Sequence, residues 1–256
     1  MNSNIRPEIP KEKIIQVKNI KRIDFNKPFK FIYFHWWFEL LTIIPYLITY
    51  FFVILCAIFF GFSVVGRKNL GILKKQGCIT ISNHCHYFDT VFAHLVIFPK
   101  YLHVSVAQRN FEVPYIRRIL RILRCFPIPG EGKGLKLISP PVGEALKRKR
   151  HIHFLPEGDL VHLSQTIHRF HKGAFYLSCR HQAPIVPMVY ILKRRKILGK
   201  LMRPNWIKIT LVVGKPIIPP EQSEGNIILK EDIQELSNKA ASWMERTIKE
   251  NQQYII

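Results

Sequence analysis

A histidine and a carboxylate lie close together in one short polar stretch, where they could take a proton from an alcohol. Cys78 to Ile81 predict a short buried strand before this stretch, and Thr90 to Val96 predict a helix after it. His84 would then lie at the turn between them, with Asp89 near the first helical turn. A carboxylate beside an imidazole fixes its tautomer and stabilises the imidazolium formed during base catalysis. The alternative is a polar turn that caps the helix through Asn83 or Asp89.

An apolar segment long enough for a membrane helix precedes this stretch. No charged residue occurs from Leu40 to Val65, and the segment extends back to Phe31 with only Glu39 interrupting it. A bilayer core needs about 20 apolar residues of helix, so the segment predicts a membrane anchor. Pro45 would kink one helix or separate two, which leaves open a single span or a two-helix hairpin in one leaflet. Aromatic residues typical of a membrane interface stand at its start: Phe31, Tyr33, Phe34, Trp36, Trp37 and Phe38.

The chain is strongly basic, with a formal net charge of +22, and basic residues flank the apolar segment on both sides. Anionic lipid headgroups attract such residues by about 1 kcal/mol each near a membrane surface. No recognisable nucleic-acid-binding module occurs, so membrane lipids are favoured and no nucleic-acid partner is expected. The five cysteines are odd in number and lack paired spacing, which predicts reduced thiols. We therefore expect the protein at the cell membrane, with its catalytic domain on the cytoplasmic side.

Strands and helices alternate after the anchor, which predicts an α/β fold with a mostly parallel sheet flanked by helices. With the N-terminal apolar helical membrane anchor, the chain divides into a basic polar arm (1–30), the anchor (31–65) and a folded domain (66–256). Predicted strands cover residues 78–81, 101–107, 151–155, 184–190 and 206–213, with a short apolar step at Cys125 and Phe126. Predicted helices cover residues 90–98, 114–123, 137–149, 173–179 and 227–251.

Three short motifs follow one another along the domain. They are Asn83-His84 with Asp89, then Phe154-Leu-Pro-Glu-Gly158, then Ala183-Pro-Ile-Val-Pro-Met188. Over about Gly66 to Pro216, the chain resembles the 1-acylglycerol-3-phosphate acyltransferase, or lysophospholipid acyltransferase, family. The resemblance implies an O-acyltransferase of phospholipid biosynthesis or remodelling, which moves a fatty acyl group from acyl-CoA or acyl carrier protein to a hydroxyl of a lysolipid acceptor. It implies neither a metal nor a bound cofactor.

The resemblance also implies roles for individual residues. His84 would be the general base and Asp89 its orienting partner. Backbone amides at the start of the helix after Asn83 are one candidate source of oxyanion donors. Glu157 and Gly158 would belong to an acceptor-binding turn. The other expected substrate-binding residues are Asn83, Arg109, Asp159, Lys172 and Pro187, with Arg109 at a position where the family usually keeps a lysine for phosphate contact.

Two departures from the family pattern bear on the acceptor. The second block, Arg124-Cys-Phe-Pro-Ile-Pro-Gly130, lacks the usual arginine, and the usual Pro-Glu-Gly-Thr-Arg is here Pro156-Glu-Gly-Asp-Leu160. Both missing arginines would grip a phosphate by bidentate hydrogen bonds. The acceptor is therefore either lysophosphatidic acid held by other basic residues, or a lipid whose zwitterionic, amino-acid or sugar headgroup suits Asp159. Candidates for the replacement charge are Lys133, Lys136, Arg169 and Lys172.

Three other interpretations stay open at the level of sequence. Two His-x-His pairs, at 84/86 and 151/153, could hold a metal, although no carboxylate or cysteine pattern accompanies them. Cys85 could be a thiol nucleophile beside His84, but consecutive side chains point apart. A basic membrane-surface binding protein could also keep this fold after losing the chemistry on the acceptor.

Overall fold

Helices and strands alternate in the computed structural model, which describes residues 20–130, 134–194, 196–197, 200–201, 207–221 and 228–251. The helices are α1 (Trp36–Phe59), α2 (Asp89–Ile97), α3 (Gln108–Phe111), α4 (Pro114–Ile122), α5 (Gly134–Lys147), α6 (Gly173–His181) and α7 (Lys230–Asn251), with a 3-10 helix at Arg67–Lys74. The strands are β1 (Ser63–Val65), β2 (Ile79–Ser82), β3 (Leu102–Ala107), β4 (Cys125–Ile128), β5 (His151–Phe154), β6 (Ile185–Arg194), β7 (Lys196–Ile197), β8 (Lys200–Leu201) and β9 (Ile207–Val213).

Seven strands form one sheet in the order β1-β9-β6-β2-β5-β3-β4. Five adjacent strands, β6, β2, β5, β3 and β4, run parallel to one another. Strand β9 is antiparallel to β6. The prediction of a mostly parallel sheet flanked by helices is confirmed. Because parallel strands end at the same edge of a sheet, the turns after β2, β3, β4 and β5 lie along one edge, which we name the carboxyl edge.

Two hydrophobic cores lie on opposite faces of the sheet, because side chains alternate along each strand. Ile79 and Ile81 of β2 belong to the first core, which packs under α5, α6 and α7. Val104 and Met188 belong to the second core, which packs under α1, α2 and α4. The central strands β2, β5 and β6 are therefore covered on both faces, as is typical of parallel sheets.

Helix α1 is the one helix among the described residues that is long and apolar enough to cross a membrane. It is a single helix that continues through Pro45, where the sequence had left two helices open. Glu39 near its start pairs with Arg150 just before β5, and the Phe60 ring just after its end lies edge-on to the ring of His86. Helix α1 thus lies along the folded domain, and the prediction that it anchors the chain in a membrane stays a prediction.

The segment before α1 packs against the domain. Phe31 and Ile32, which the sequence assigned to the anchor, are buried in the first core. These two side chains are covered by protein and precede α1, which begins at Trp36. Of the predicted basic arm, residues 1–19 lie outside the described residues, as does Lys133.

Candidate active site

The predicted base and its partner meet at the carboxyl edge, in the turn between β2 and α2. The Nδ1 atom of His84 lies 3.3 Å from Oδ2 of Asp89, the first residue of α2. Asp89 is completely buried, whereas the His84 side chain is 20% exposed. A proton on Nδ1 would be held by the carboxylate, which leaves Nε2 as the basic nitrogen.

One carboxylate oxygen of Asp89 also organises the turn itself. Oδ2 accepts hydrogen bonds from the backbone N–H groups of Cys85 and His86, each at 2.8 Å. The N–H of His84 donates to Oε2 of Glu157 at 3.1 Å. The amides of His84, Cys85 and His86 are therefore engaged by buried carboxylates and are not free to donate to an oxyanion.

Asn83 fixes the turn to the neighbouring strand rather than facing a substrate. Its Oδ1 accepts from the backbone N–H of Tyr190 at 2.8 Å, and its Nδ2 donates to the carbonyl of Tyr190 at 3.2 Å. The buried Tyr190 hydroxyl in turn donates to the carbonyl of Asp89 at 2.5 Å. Sequence reasoning missed Tyr190, although a tyrosine within a buried apolar strand signals a hydroxyl that needs a partner.

Glu157 and Gly158 shape the loop that follows β5. Oε1 of Glu157 accepts from the backbone N–H of His168 at 3.2 Å, so its two oxygens connect both ends of the loop to the His84 turn. Burial raises the pKa of Glu157, and the two N–H donors act in the opposite direction. Gly158 has φ +83°, and a Cβ there would lie 2.9 Å from the His171 ring. The predicted acceptor-binding turn thus lies beside His84, with its glutamate occupied by backbone amides.

An exposed ion pair lies at the same edge. Arg109 in α3 follows β3, Asp159 follows β5, and Nη2 of Arg109 lies 3.8 Å from Oδ1 of Asp159. His84 follows β2, and β5 lies between β2 and β3 in the sheet. The strands that precede His84, Asp159 and Arg109 therefore lie within two strand spacings, about 10 Å, of one another. The sequence-predicted Arg109 and Asp159 are therefore brought to the same edge as the histidine.

Lys172 and Pro187 are not brought to this group. The ammonium of Lys172 donates to the Ser237 hydroxyl of α7 at 2.8 Å. Pro187 pairs with Ile81 on the sheet face that carries the first core, and a Cβ on Gly214 would approach its ring to 2.9 Å. The alternation of side chains along β6 turns Pro187 toward α7, a geometry that the motif alone does not reveal.

The other candidate chemistries fit the geometry less well. His151 and His153 are buried, and burial lowers the pKa of His151 to about 4 and that of His153 to about 3. His153 is hydrogen-bonded to Thr80 and Ser82, and the described residues contain no group of three or more histidine, cysteine or acidic side chains that could hold a metal. Burial and the nearby Asp89 raise the pKa of the Cys85 thiol well above its usual value, which disfavours a thiolate nucleophile.

Three comparisons relate the chain to known proteins. The chain is 27% identical over 191 residues to a 1-acyl-sn-glycerol-3-phosphate acyltransferase of Saccharomyces cerevisiae, covering 73% of this chain and 60% of that protein. It thus spans about three fifths of the length of this curated relative. The crystal structure of the 1-acyl-sn-glycerophosphate (LPA) acyltransferase PlsC from Thermotoga maritima superposes with a TM-score of 0.51 at 16% identity, over 75% of this chain and 72% of that one, which shows a shared fold.

A family model described as Acyltransferase matches residues 62–191, just over half of the chain, and contains both His84 and Asp89. The chain therefore belongs to the acyltransferase family.

Proposed function

We propose that this protein transfers a fatty acyl group from acyl-CoA or acyl carrier protein to a hydroxyl of a lysolipid. The observation that carries the proposal is the contact of His84 with the buried Asp89 at an exposed sheet edge. The curated yeast relative, whose name states an acyl transfer to a glycerophosphate, supports the choice of reaction. Membrane lipids supply the acceptor, and no nucleic acid or bound cofactor takes part.

The chemistry follows from the free nitrogen of His84. Nε2 takes the proton from the acceptor hydroxyl as its oxygen attacks the thioester carbon, because an alcohol is a poor nucleophile near neutral pH. The negative charge of Asp89, 3.3 Å from Nδ1, stabilises the imidazolium. The tetrahedral intermediate then expels the thiolate, which the imidazolium can protonate, so the new ester forms as the thioester breaks. Base catalysis of this kind is worth about 10²–10⁴-fold in rate.

The Arg109–Asp159 pair bears on the choice of acceptor. A phosphate monoester would be attracted by Arg109 but would meet the carboxylate of Asp159 at the same place. A headgroup with both a phosphate and an ammonium can complement both side chains. We therefore favour a zwitterionic lysolipid over lysophosphatidic acid as the acceptor.

The location of the reaction is part of the same proposal. The apolar outer surface of α1 would hold the enzyme at the cell membrane, where its lipid substrates are found. None of the five cysteines forms a disulfide in the described part of the chain, which is typical of a reducing compartment and supports a cytoplasmic catalytic domain.

The test is acyl transfer by the purified full chain in detergent or liposomes. Labelled acyl-CoA and acyl carrier protein are offered with lysolipids of different headgroups. We expect transfer by the native chain and its loss in His84→Ala, whereas His35→Ala, an exposed histidine beside the opposite end of α1, should leave the rate unchanged. Transfer by a folded His84→Ala variant at the native rate would refute the mechanism. Absence of transfer to every acceptor would favour a binding protein instead.

A further inference from the structure

Helix α4 has its arginines turned toward the protein. Nε of Arg117 donates to the carbonyl of Phe111 at 2.5 Å, and its Nη2 donates to the carbonyl of Lys21 at 3.2 Å. One turn later, Nη1 of Arg121 donates to the carbonyl of Lys30 at 2.6 Å. The Arg121 guanidinium also lies over three aromatic rings, those of Phe29, Tyr33 and Phe111. These contacts join α4 to the segment that precedes α1.

The opposite side of α4 is apolar and faces outward. Tyr115 is 79% exposed, Ile119 is 58% exposed and Ile116 is 41% exposed. Their spacing of one, three and four residues places all three on one helical face. A surface helix of a water-soluble protein has the reverse arrangement, with apolar residues inward and charged residues outward. Grouped exposed apolar side chains of this kind mark an interaction surface.

This surface lies beside the apolar outer face of α1. Helices α1 and α4 are in contact, and both pack over the second core on the same face of the sheet. The outward residues of α1 include Leu41, Ile44 and Ile48, which are all more than half exposed. The only charged residue on the exposed part of α4 is Arg118, which suits an anionic headgroup. A bilayer would cover both faces together, whereas a protein partner would need a matching groove for each.

We propose that the outer face of α4, formed by Tyr115, Ile116 and Ile119, is a second membrane-contact surface beside α1. Its ligand is the surface of a phospholipid bilayer that contains anionic lipids. Helix α4 begins just after α3, at the carboxyl edge that carries His84. Contact through Tyr115 therefore holds this edge at the level of the lipid headgroups. The inference concerns membrane contact alone and does not depend on the reaction proposed above.

The experiment measures the depth of a spin label on the full chain in vesicles. Ile119→Cys carries the label, and Ile218→Cys, a 64% exposed position between β9 and α7, is the matched control. Both are made with Cys56→Ala, because the other four native cysteines are buried. In vesicles of phosphatidylcholine and phosphatidylglycerol, collisions with oxygen should exceed those with a water-soluble nickel reagent at position 119, and the order should reverse at position 218.

Three outcomes would overturn the proposal. Equal access of the nickel reagent to positions 119 and 218 would mean that α4 stays in water. Shielding at position 119 that disappears as the protein is diluted in the lipid, with spin–spin broadening at high density, would mean that a second copy of the chain covers this face. Tyr115→Ser should move the label at position 119 toward water, because the tyrosine is part of the proposed surface. Shielding that persists unchanged in this variant would restrict the contact to the two isoleucines and refute the surface as stated.

Discussion

Replacing Asp89 by asparagine separates the charge of this residue from its geometry. Oδ2 of Asp89 accepts all three hydrogen bonds, from Nδ1 of His84 and from the amides of Cys85 and His86. Oδ1 is buried and has no hydrogen-bond partner among the described residues. The carbonyl oxygen of an asparagine can take the place of Oδ2, and its amide nitrogen then takes a position where no hydrogen bond is lost. Asp89→Asn therefore keeps an oxygen that can accept the three hydrogen bonds and removes the negative charge.

The expected loss of rate follows from the distance to His84. Two unit charges 3.3 Å apart interact by about 5 kcal/mol at an effective dielectric constant of about 20, and by about 1.3 kcal/mol in bulk water. The His84 side chain is 20% exposed, so its surroundings lie between these limits. Each 1.4 kcal/mol of lost imidazolium stabilisation is about tenfold in rate. We expect kcat to fall by about 10²- to 10³-fold, within outer limits of about 10- and 5,000-fold.

Release of the thiol from acyl-CoA in the presence of the best lysolipid acceptor measures this rate. Glu144→Gln is the matched control, because this surface glutamate of α5 loses its charge next to Arg148 and far from the turn. The free energy of unfolding of Asp89→Asn should fall by about 1–3 kcal/mol, since a buried amide nitrogen is left without a partner. If Asp89→Asn kept more than a third of the native kcat while His84→Ala was inactive, the charge of Asp89 would have no part in the reaction.

Three further predictions concern stability and the choice of acceptor. Three buried histidines and the partly buried His94 have lowered pKa values, about 3 for His94, His103 and His153 and about 4 for His151. Their contribution to stability is present above the unfolded pKa of about 6.5 and is lost as the pH falls below that value. Between pH 7 and pH 5.5, the free energy of unfolding in detergent should therefore drop by about 1.3 kcal/mol per histidine. A flat profile over this range would mean that these side chains take up protons in the fold as they do in the unfolded chain. Gly158→Ala should lower the free energy of unfolding by about 1–2 kcal/mol because of its positive φ, whereas Gly71→Ala, where a Cβ meets nothing within 4 Å, should not. Asp159→Thr removes the carboxylate beside Arg109 and should raise kcat/KM for lysophosphatidic acid relative to a zwitterionic lysolipid by about sixfold. This is the effect in water of two unit charges separated by 3.8 Å, the distance between Arg109 and Asp159. An unchanged ratio would remove Asp159 from the acceptor site.

The central part of the site could be predicted because it is local. His84 and Asp89 are separated by one turn of chain between a strand and a helix, and both elements have clear patterns of apolar residues. The alternation of strands and helices likewise predicts the parallel sheet and therefore the common edge for the turns after β2 and β5. These inferences need only the order of the elements along the chain.

The rest depends on contacts between residues that are far apart in sequence. Asn83 is held by the backbone of Tyr190, and the His84 amide is held by Glu157, across separations of 107 and 73 residues. No spacing in the sequence reveals such pairs. The direction of Pro187 is set by the register of β6 against β2, and a change of one residue would have reversed it.

Helix α4 shows why an amphipathic pattern does not by itself give orientation. The alternation of apolar residues and arginines predicts a helix with two faces, and the usual rule would place Arg117 and Arg121 in water. Here the segment before α1 offers backbone carbonyls and aromatic rings that satisfy both guanidinium groups.

The turn at His84 is held from two sides, and this limits what can move during a reaction. Asp89 engages the amides of Cys85 and His86, and Glu157 engages the amide of His84. The loop after β5 adds two backbone bonds, from Val161 to the His84 carbonyl at 3.2 Å and from Leu163 to the Cys85 carbonyl at 2.7 Å. Because the backbone at His84 and Cys85 is engaged through both N–H and carbonyl groups, the imidazole is held in place before any substrate arrives, and little reorganisation is needed when the proton is transferred. The donors for an oxyanion must then come from groups outside these three amides.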